Sequence, residues 1–292
     1  MPGTSPRLPV VSTLEDAVRA TGRNLLRFLP IYLAVWIAIF ATTPLLQDAW
    51  FNGLGWRFMP TFVLELKDAP LQAIYCTVFL RMGILDIKPS RAAPIWDGTV
   101  ARVALVLGVW FASWALLDGL YLQFYKMFLD WTRPTLNELN GWTYSSQADV
   151  LGWSGWFVRL LKIFTVACIY GQAAIVVVRG RFDWREHLAL LRADPVRLGL
   201  IVLAAAVVTD GLELLWHRVL PLFPSVWPAP ATIASQWREA LLPTLMRSFR
   251  AFPTHFLADV FGAMLLATVY CRLSRAAKNP SMPLSSARSN TI

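Results

Sequence analysis

Asp210, Glu213 and His217 stand three and four residues apart in one apolar stretch, and His255 and Asp259 stand four apart in another. At 3.6 residues per turn, the first three share one helix face and the last two share another. If the two helices pair antiparallel, His217 comes to the depth of His255 and Asp210 to that of Asp259. Imidazole beside carboxylate can relay protons or hold a divalent metal, for which His217, His255 and Asp259 are the candidates. The plain alternative is that Arg218, Arg247 and Arg250, near the same mouth, neutralise the acids as structural ion pairs. Asp118 joins the set because Asp118-Gly119-Leu120 reappears as Asp210-Gly211-Leu212. Asp68 and Asp259 also match each other, each standing thirteen residues before an arginine.

What must position these groups is a set of membrane helices. Of the 292 residues 56% are hydrophobic and 15% charged, and the apolar ones form long runs with no solvated face. Phe28 to Gln47 carries no charge, Val103 to Tyr125 only Asp118, and Ile163 to Val178 none. Leu198 to Trp216 carries Asp210 and Glu213, and Phe256 to Cys271 carries Asp259. Ala69 to Leu85, interrupted by Arg81, is the weakest span, but the charge topology requires it. The reading is an all-α integral membrane protein of six transmembrane helices. A cleaved signal peptide is the competing reading of the first run, which is too long for one and lacks a clear small-residue cleavage site. An ionised group at the centre of such a span costs roughly 2.5 to 3.5 kcal/mol on insertion scales, so the acids should face helices or water.

Charge sets the orientation. Assigning segments alternately to two sides gathers most of the 27 Lys and Arg on one side, among them Arg19, Arg23, Arg27, Arg81, Arg179 and Arg272, with fewer than half of the 18 acids. Basic residues stay cytoplasmic, so both termini lie inside a cell (inner) membrane, and the net charge of +9 needs no nucleic acid to explain it. Trp50, Trp56, Trp131, Trp142, Trp153, Trp156, Trp216, Trp227 and Trp237 fall at outer helix ends or connections, as an interfacial belt would. Trp36, Trp110 and Trp114 read as core filler. Cys76, Cys168 and Cys271 each fall inside a span and read as free thiols.

The even-numbered spans all end on arginine at the inner face: Arg81, Arg179 and Arg272. Ser12-Thr13-Leu14-Glu15 and Asp183-Trp184-Arg185-Glu186 read as capping boxes before odd spans, and Ser90 to Pro94 supplies a helix start in the middle copy. Behind the first box Leu14, Val18, Thr21, Leu25 and Leu29 form the stripe of a short interfacial helix. The chain therefore reads as one polytopic domain, 1–292, built of three repeats of interfacial amphipathic helix plus helical hairpin. The units run about 10–83, 84–180 and 181–276, and a disordered cytoplasmic tail follows at 277–292. On the outer side Ile233, Trp237, Leu241, Leu245 and Phe249 predict a surface helix bent at Pro243, as a cover or lid.

This organisation resembles a group of bacterial six-helix membrane proteins, including the membrane domain that accompanies some glycerophosphodiester phosphodiesterases. The Leu14-Glu15-Asp16-Ala17-Val18 to Leu29-Pro30 segment and its later echoes carry the resemblance. It implies architecture alone, because no segment is left over for a soluble catalytic barrel. No Walker loop, nucleophile elbow, His-Glu-x-x-His or Cys-x-x-Cys occurs. Asp118-Gly119 and Asp210-Gly211 are followed by leucine, unlike the phosphatidyltransferase pattern. The expectation is a non-catalytic inner-membrane protein that supports a membrane process, with lipid bilayer and membrane-protein partners and no assigned cofactor. A small-molecule or proton-coupled transporter and a metal-dependent membrane enzyme are the alternatives. A transporter should have a polar cavity reaching the membrane midplane, whereas a scaffold should be packed there.

Overall fold

Long apolar runs in a bilayer leave the backbone to satisfy its own N–H and C=O groups, which helices do within one segment. The computed structural model describes residues 8–53, 60–87, 97–136, 142–219 and 236–278, and among them there is no strand. In order come α1 (Val10–Gly53), α2 (Pro60–Leu85), α3 (Gly98–Leu136), α4 (Trp142–Thr165), a π-helical turn (Val166–Tyr170), α5 (Gln172–Arg179), α6 (Trp184–Ala193), α7 (Pro195–Val219) and α8 (Gln236–Lys278). Five stretches are long and apolar enough to cross a membrane: Val10–Ile39, Gly98–Tyr125, Ser154–Arg179, Pro195–Trp216 and Phe252–Arg275.

α2 is not among the five, although its 26 residues would reach about 39 Å. Pro70, Gln72, Tyr75, Thr77 and Arg81 dilute its apolarity, and its position makes that tolerable. α2 is the centre of the core. Ala73, Val78, Phe79 and Leu80 are fully buried among Phe28 and Tyr32 of α1, Val100 and Val103 of α3, Val176 of α5, and Val260 and Met264 of α8. Gly83 allows close approach to α8, since a Cβ there would stand 2.8 Å from Ala267 Cβ. α7 is peripheral. Ile201 docks it on Phe261 and Leu265 of α8, while Leu200, Leu203, Val207, Leu214 and Leu215 stay exposed as an apolar outer face.

A short helix, α6, stands apart ahead of α7 as expected of the third unit, but in the first unit the helix runs on where a separate interfacial helix was expected. α1 is one helix of 44 residues, about 66 Å, roughly twice the hydrocarbon thickness. Ser12 and Thr13 do not cap a short helix: Thr13 Oγ1 donates to the Pro9 carbonyl at 2.6 Å, and the Ser12 hydroxyl accepts from Arg272. α8 is likewise one helix from Gln236, so the predicted surface helix continues into the last apolar stretch. The cap at Asp183 is present, its carboxylate accepting from Glu186 N–H at 3.0 Å. Ser90 to Pro94 and the tail from 279 lie outside the described residues. The three cysteines are free thiols.

Three arginines tie the helix ends together at one end of the bundle. Arg81 at the foot of α2 pairs with Asp97, which also accepts from the N–H groups of Thr99 and Val100 at the start of α3. Arg179 at the end of α5 holds Glu186 of α6 at 2.9 Å, and Tyr270 of α8 donates to the same carboxylate. Arg272 of α8 reaches Ser12, Thr13 and Asp16 of α1. Leu8 N–H donates to Asp194, ahead of α7, at 3.0 Å. The starts of α1, α3 and α7 thus lie with the ends of α2, α5 and α8.

Candidate functional site

A chain with small side chains on facing helices and a peripheral α7 need not close its interior. Here it does not: a cavity of about 700 Å³ runs between α2, α3, α4, α7 and α8 down to α6. Ala205, Ala206 and Gly262 line it without filling it, and a Cβ on Gly262 would meet nothing within 4 Å. Between Leu198 and Asp210 its α7 wall rises about 18 Å. Most of the wall is aliphatic or aromatic, and its polar groups fall at three levels.

At the end away from the three arginines, Lys162 Nζ lies 2.6 Å from Asp118 and Arg159 lies 2.5 Å from Asp210. Arg159 and Lys162 are one turn apart on α4, so a single helix face serves acids of α3 and α7. Lys162 also sits over the Trp114 ring at 5.1 Å. Trp110 and Trp114 both direct their indole N–H to Thr165 Oγ1, at 3.2 and 2.8 Å. Both line the cavity with their polar edge satisfied, and Trp110 also packs against the core as expected.

At mid-height is Asp259, thirteen residues before Arg272 and hence about 20 Å along α8. The hydroxyls of Tyr32 and Tyr75 donate to its Oδ2 at 2.7 and 3.0 Å. Tyr75, Gln72 and Cys76 line the cavity beside it, and the Tyr170 hydroxyl lies 3.1 Å from Cys76 Sγ. The Tyr170 ring in turn packs 5.1 Å from Trp110. The carboxylate thus opens onto a continuous aromatic wall.

At the foot, His187 of α6 closes the cavity under the π-helical turn. Its Nε2–H donates to the Cys168 carbonyl at 2.9 Å, and Gly171 makes room, since a Cβ there would lie 2.9 Å from the imidazole. Burial pushes the ring below the usual histidine value, with the carbonyl bond opposing, so the neutral form is favoured.

Asp118, Asp210 and Asp259, singled out by sequence, therefore border one cavity. His255 is exposed, and its ring lies 5.6 Å from that of Trp36 and tilted to it. The side chains of Glu213, His217, Arg218, Arg247 and Arg250 lie outside the described residues. Among the described residues no three His, Cys, Asp or Glu come together as a metal site. Sequence reasoning missed Arg159 and Lys162, the actual partners of two of the acids, although their spacing of three just ahead of an uncharged run marked them. It also missed Tyr32 and Tyr75, which carry no signal beyond being hydroxyl-bearing rings inside apolar helices. Compared with protein-family models, curated proteins and solved structures, the chain matches none.

Proposed function

We propose that this is a six-pass inner-membrane protein of transporter type, which takes an amphiphilic small molecule into the cavity between its helices. The cavity carries the reading. It reaches from two ion pairs at one end, past Asp259 at mid-height, to His187 at the foot, and an organising protein has no need of it. Its volume is that of a site for a small organic molecule, and its mix of apolar wall and few convergent polar groups suits an amphiphile.

Six passes follow from counting α2 as a crossing. The gathering of the starts of α1, α3 and α7 with the ends of α2, α5 and α8 supports this, because each hairpin must then cross and return. The basic end is cytoplasmic on the positive-inside argument. The pairs also support the threefold repeat: Arg81 with Asp97, Arg179 with Glu186, Arg272 with Asp16. Each terminal arginine holds an acid at the beginning of the next unit, and the third returns to the first, so the units close into a ring.

The test is cysteine accessibility on a background lacking Cys76, Cys168 and Cys271. Ala205→Cys, Ala206→Cys and Gly262→Cys should react with a small membrane-impermeant thiol reagent, and Gly262→Trp should suppress labelling at Ala206→Cys. A packed interior would leave all three silent, and that result overturns the reading.

A further inference from the structure

We propose that the ligand of this cavity is an organic cation with an apolar body, held against Asp259; the proposal rests on the cavity being a binding site. Among the described residues, the acids and bases lining the cavity above its foot are Asp118, Arg159, Lys162, Asp210 and Asp259. Two acids and two bases cancel as ion pairs at 2.6 and 2.5 Å. Asp259 is left over, with the exposed His255 one turn earlier on α8 as the basic group that bears on it. Among the described residues no lysine or arginine pairs with it, and its hydrogen bonds come from two neutral hydroxyls, both to Oδ2. Oδ1 has no described partner, and Asp259 lines the cavity.

A cation placed beside a carboxyl group in apolar surroundings favours its ionised form, because two hydroxyl donors replace only part of the lost hydration. An anionic or neutral ligand would gain nothing from that group's charge. An inorganic ion fits poorly: calcium or magnesium takes six or more oxygen ligands, and no cluster of three ligating side chains is present among the described residues. Tyr75, Tyr170 and Trp110 line the cavity instead, and aromatic rings attract organic cations within about 6 Å. Ala205, Ala206 and Gly262 leave the space that a bulky apolar body would fill.

Tetraphenylphosphonium and tetraphenylborate have the same shape and opposite charge, so binding of each to the full chain in nanodiscs separates charge from apolar fit. Saturable binding is expected for the phosphonium and none for the borate. Asp259→Asn should weaken the phosphonium at least tenfold, and Gly262→Trp should abolish it. If Asp259→Asn does not fold, the borate comparison and Gly262→Trp decide alone. Equal binding of the two ions, or unchanged phosphonium affinity in a folded Asp259→Asn, overturns the cation proposal. So does absence of phosphonium binding while the cavity cysteines still label, which leaves the cavity reading standing. Silent cysteines remove both.

Discussion

Arg272→Ala should loosen the bundle more than any surface arginine would. The guanidinium is 12% exposed, and its partners gather on the first two turns of α1: Ser12 Oγ and Thr13 Oγ1 at 2.9 Å, the Ser12 carbonyl at 3.2 Å, and Asp16. Breaking a buried pair by removing one partner costs about 3 to 5 kcal/mol. Here the low end applies. Asp16 is 36% exposed and can rehydrate, and Thr13 still has the Pro9 carbonyl as acceptor. A loss of about 3 kcal/mol lowers the melting temperature of a chain this size by roughly 6 to 10 °C.

The assay is thermal unfolding in detergent, followed by circular dichroism. Arg272→Lys should recover about half, because an ammonium cannot span hydroxyls and carboxylate as a planar fork does. Asp16→Asn alone should cost about 1 kcal/mol, its carboxylate being partly in water. The double variant should fall short of additivity, since the two changes share one interaction. An Arg272→Ala melting point within 2 °C of the parent would refute the reasoning, as would a lysine that serves as well as arginine.

Two further outcomes can be checked on the same preparation. Burial alone would raise the Asp97 carboxyl, but the Arg81 guanidinium and the N–H groups of Val100 and Thr99 outweigh it and hold it below the usual carboxylate range. Its contribution is therefore complete above the unfolded value of about 3.9 and disappears as pH falls through the depressed folded one, so Asp97→Asn should flatten the acid limb of a stability profile below about pH 4. Gln172 is fully buried, and neither its side-chain nitrogen nor its oxygen has a hydrogen-bond partner among the described residues. Gln172→Met should stabilise by about 1 to 2 kcal/mol, because an unsatisfied buried amide is replaced by an apolar chain of similar length. A melting point that falls on this substitution would show that the amide is paired in the membrane.

Helix positions were readable because bilayer helices announce themselves by length: the uncharged Ile163 to Val178 run and the Leu198 to Trp216 run both fall inside observed helices. Helix ends were less readable. Ser12 and Thr13 have capping chemistry, but a partner far along the chain, Arg272, takes the Ser12 hydroxyl, and no local pattern encodes that. The acids of the cavity stood out because charge in a span is expensive. Their neutralising partners did not, because Arg159 and Lys162 lie between a Trp-rich connection and a charge-free run, and a boundary charge costs little wherever it points. The π-helical turn has no composition of its own. Its reason is tertiary, in the approach of His187 to Gly171 and Cys168.

The two ends of the bundle are held with unequal strength. At the arginine end, Arg272 and Arg81 are 12% and 16% exposed; Arg272 touches several groups on α1, and Arg81 holds Asp97, the cap of α3. Arg179, at 50%, is the weaker third. At the other end, the Arg159–Asp210 pair is 48% and 34% exposed, and exposed pairs of this kind contribute about 1 kcal/mol or less. That pair ties α7 to α4 across the cavity. The α7 helix is otherwise anchored near its start, by Asp194 to Leu8 and by Ile201 to α8. Its outer half presents Val207, Val208, Leu214 and Leu215 outward and not to other helices. Among the described residues, parting α7 from α4 at the mouth therefore disturbs one half-exposed ion pair and little packed core, whereas parting α8 from α1 or α2 from α3 at the foot would break a largely buried arginine clamp. The wall that is cheapest to displace is thus the one beside Asp210.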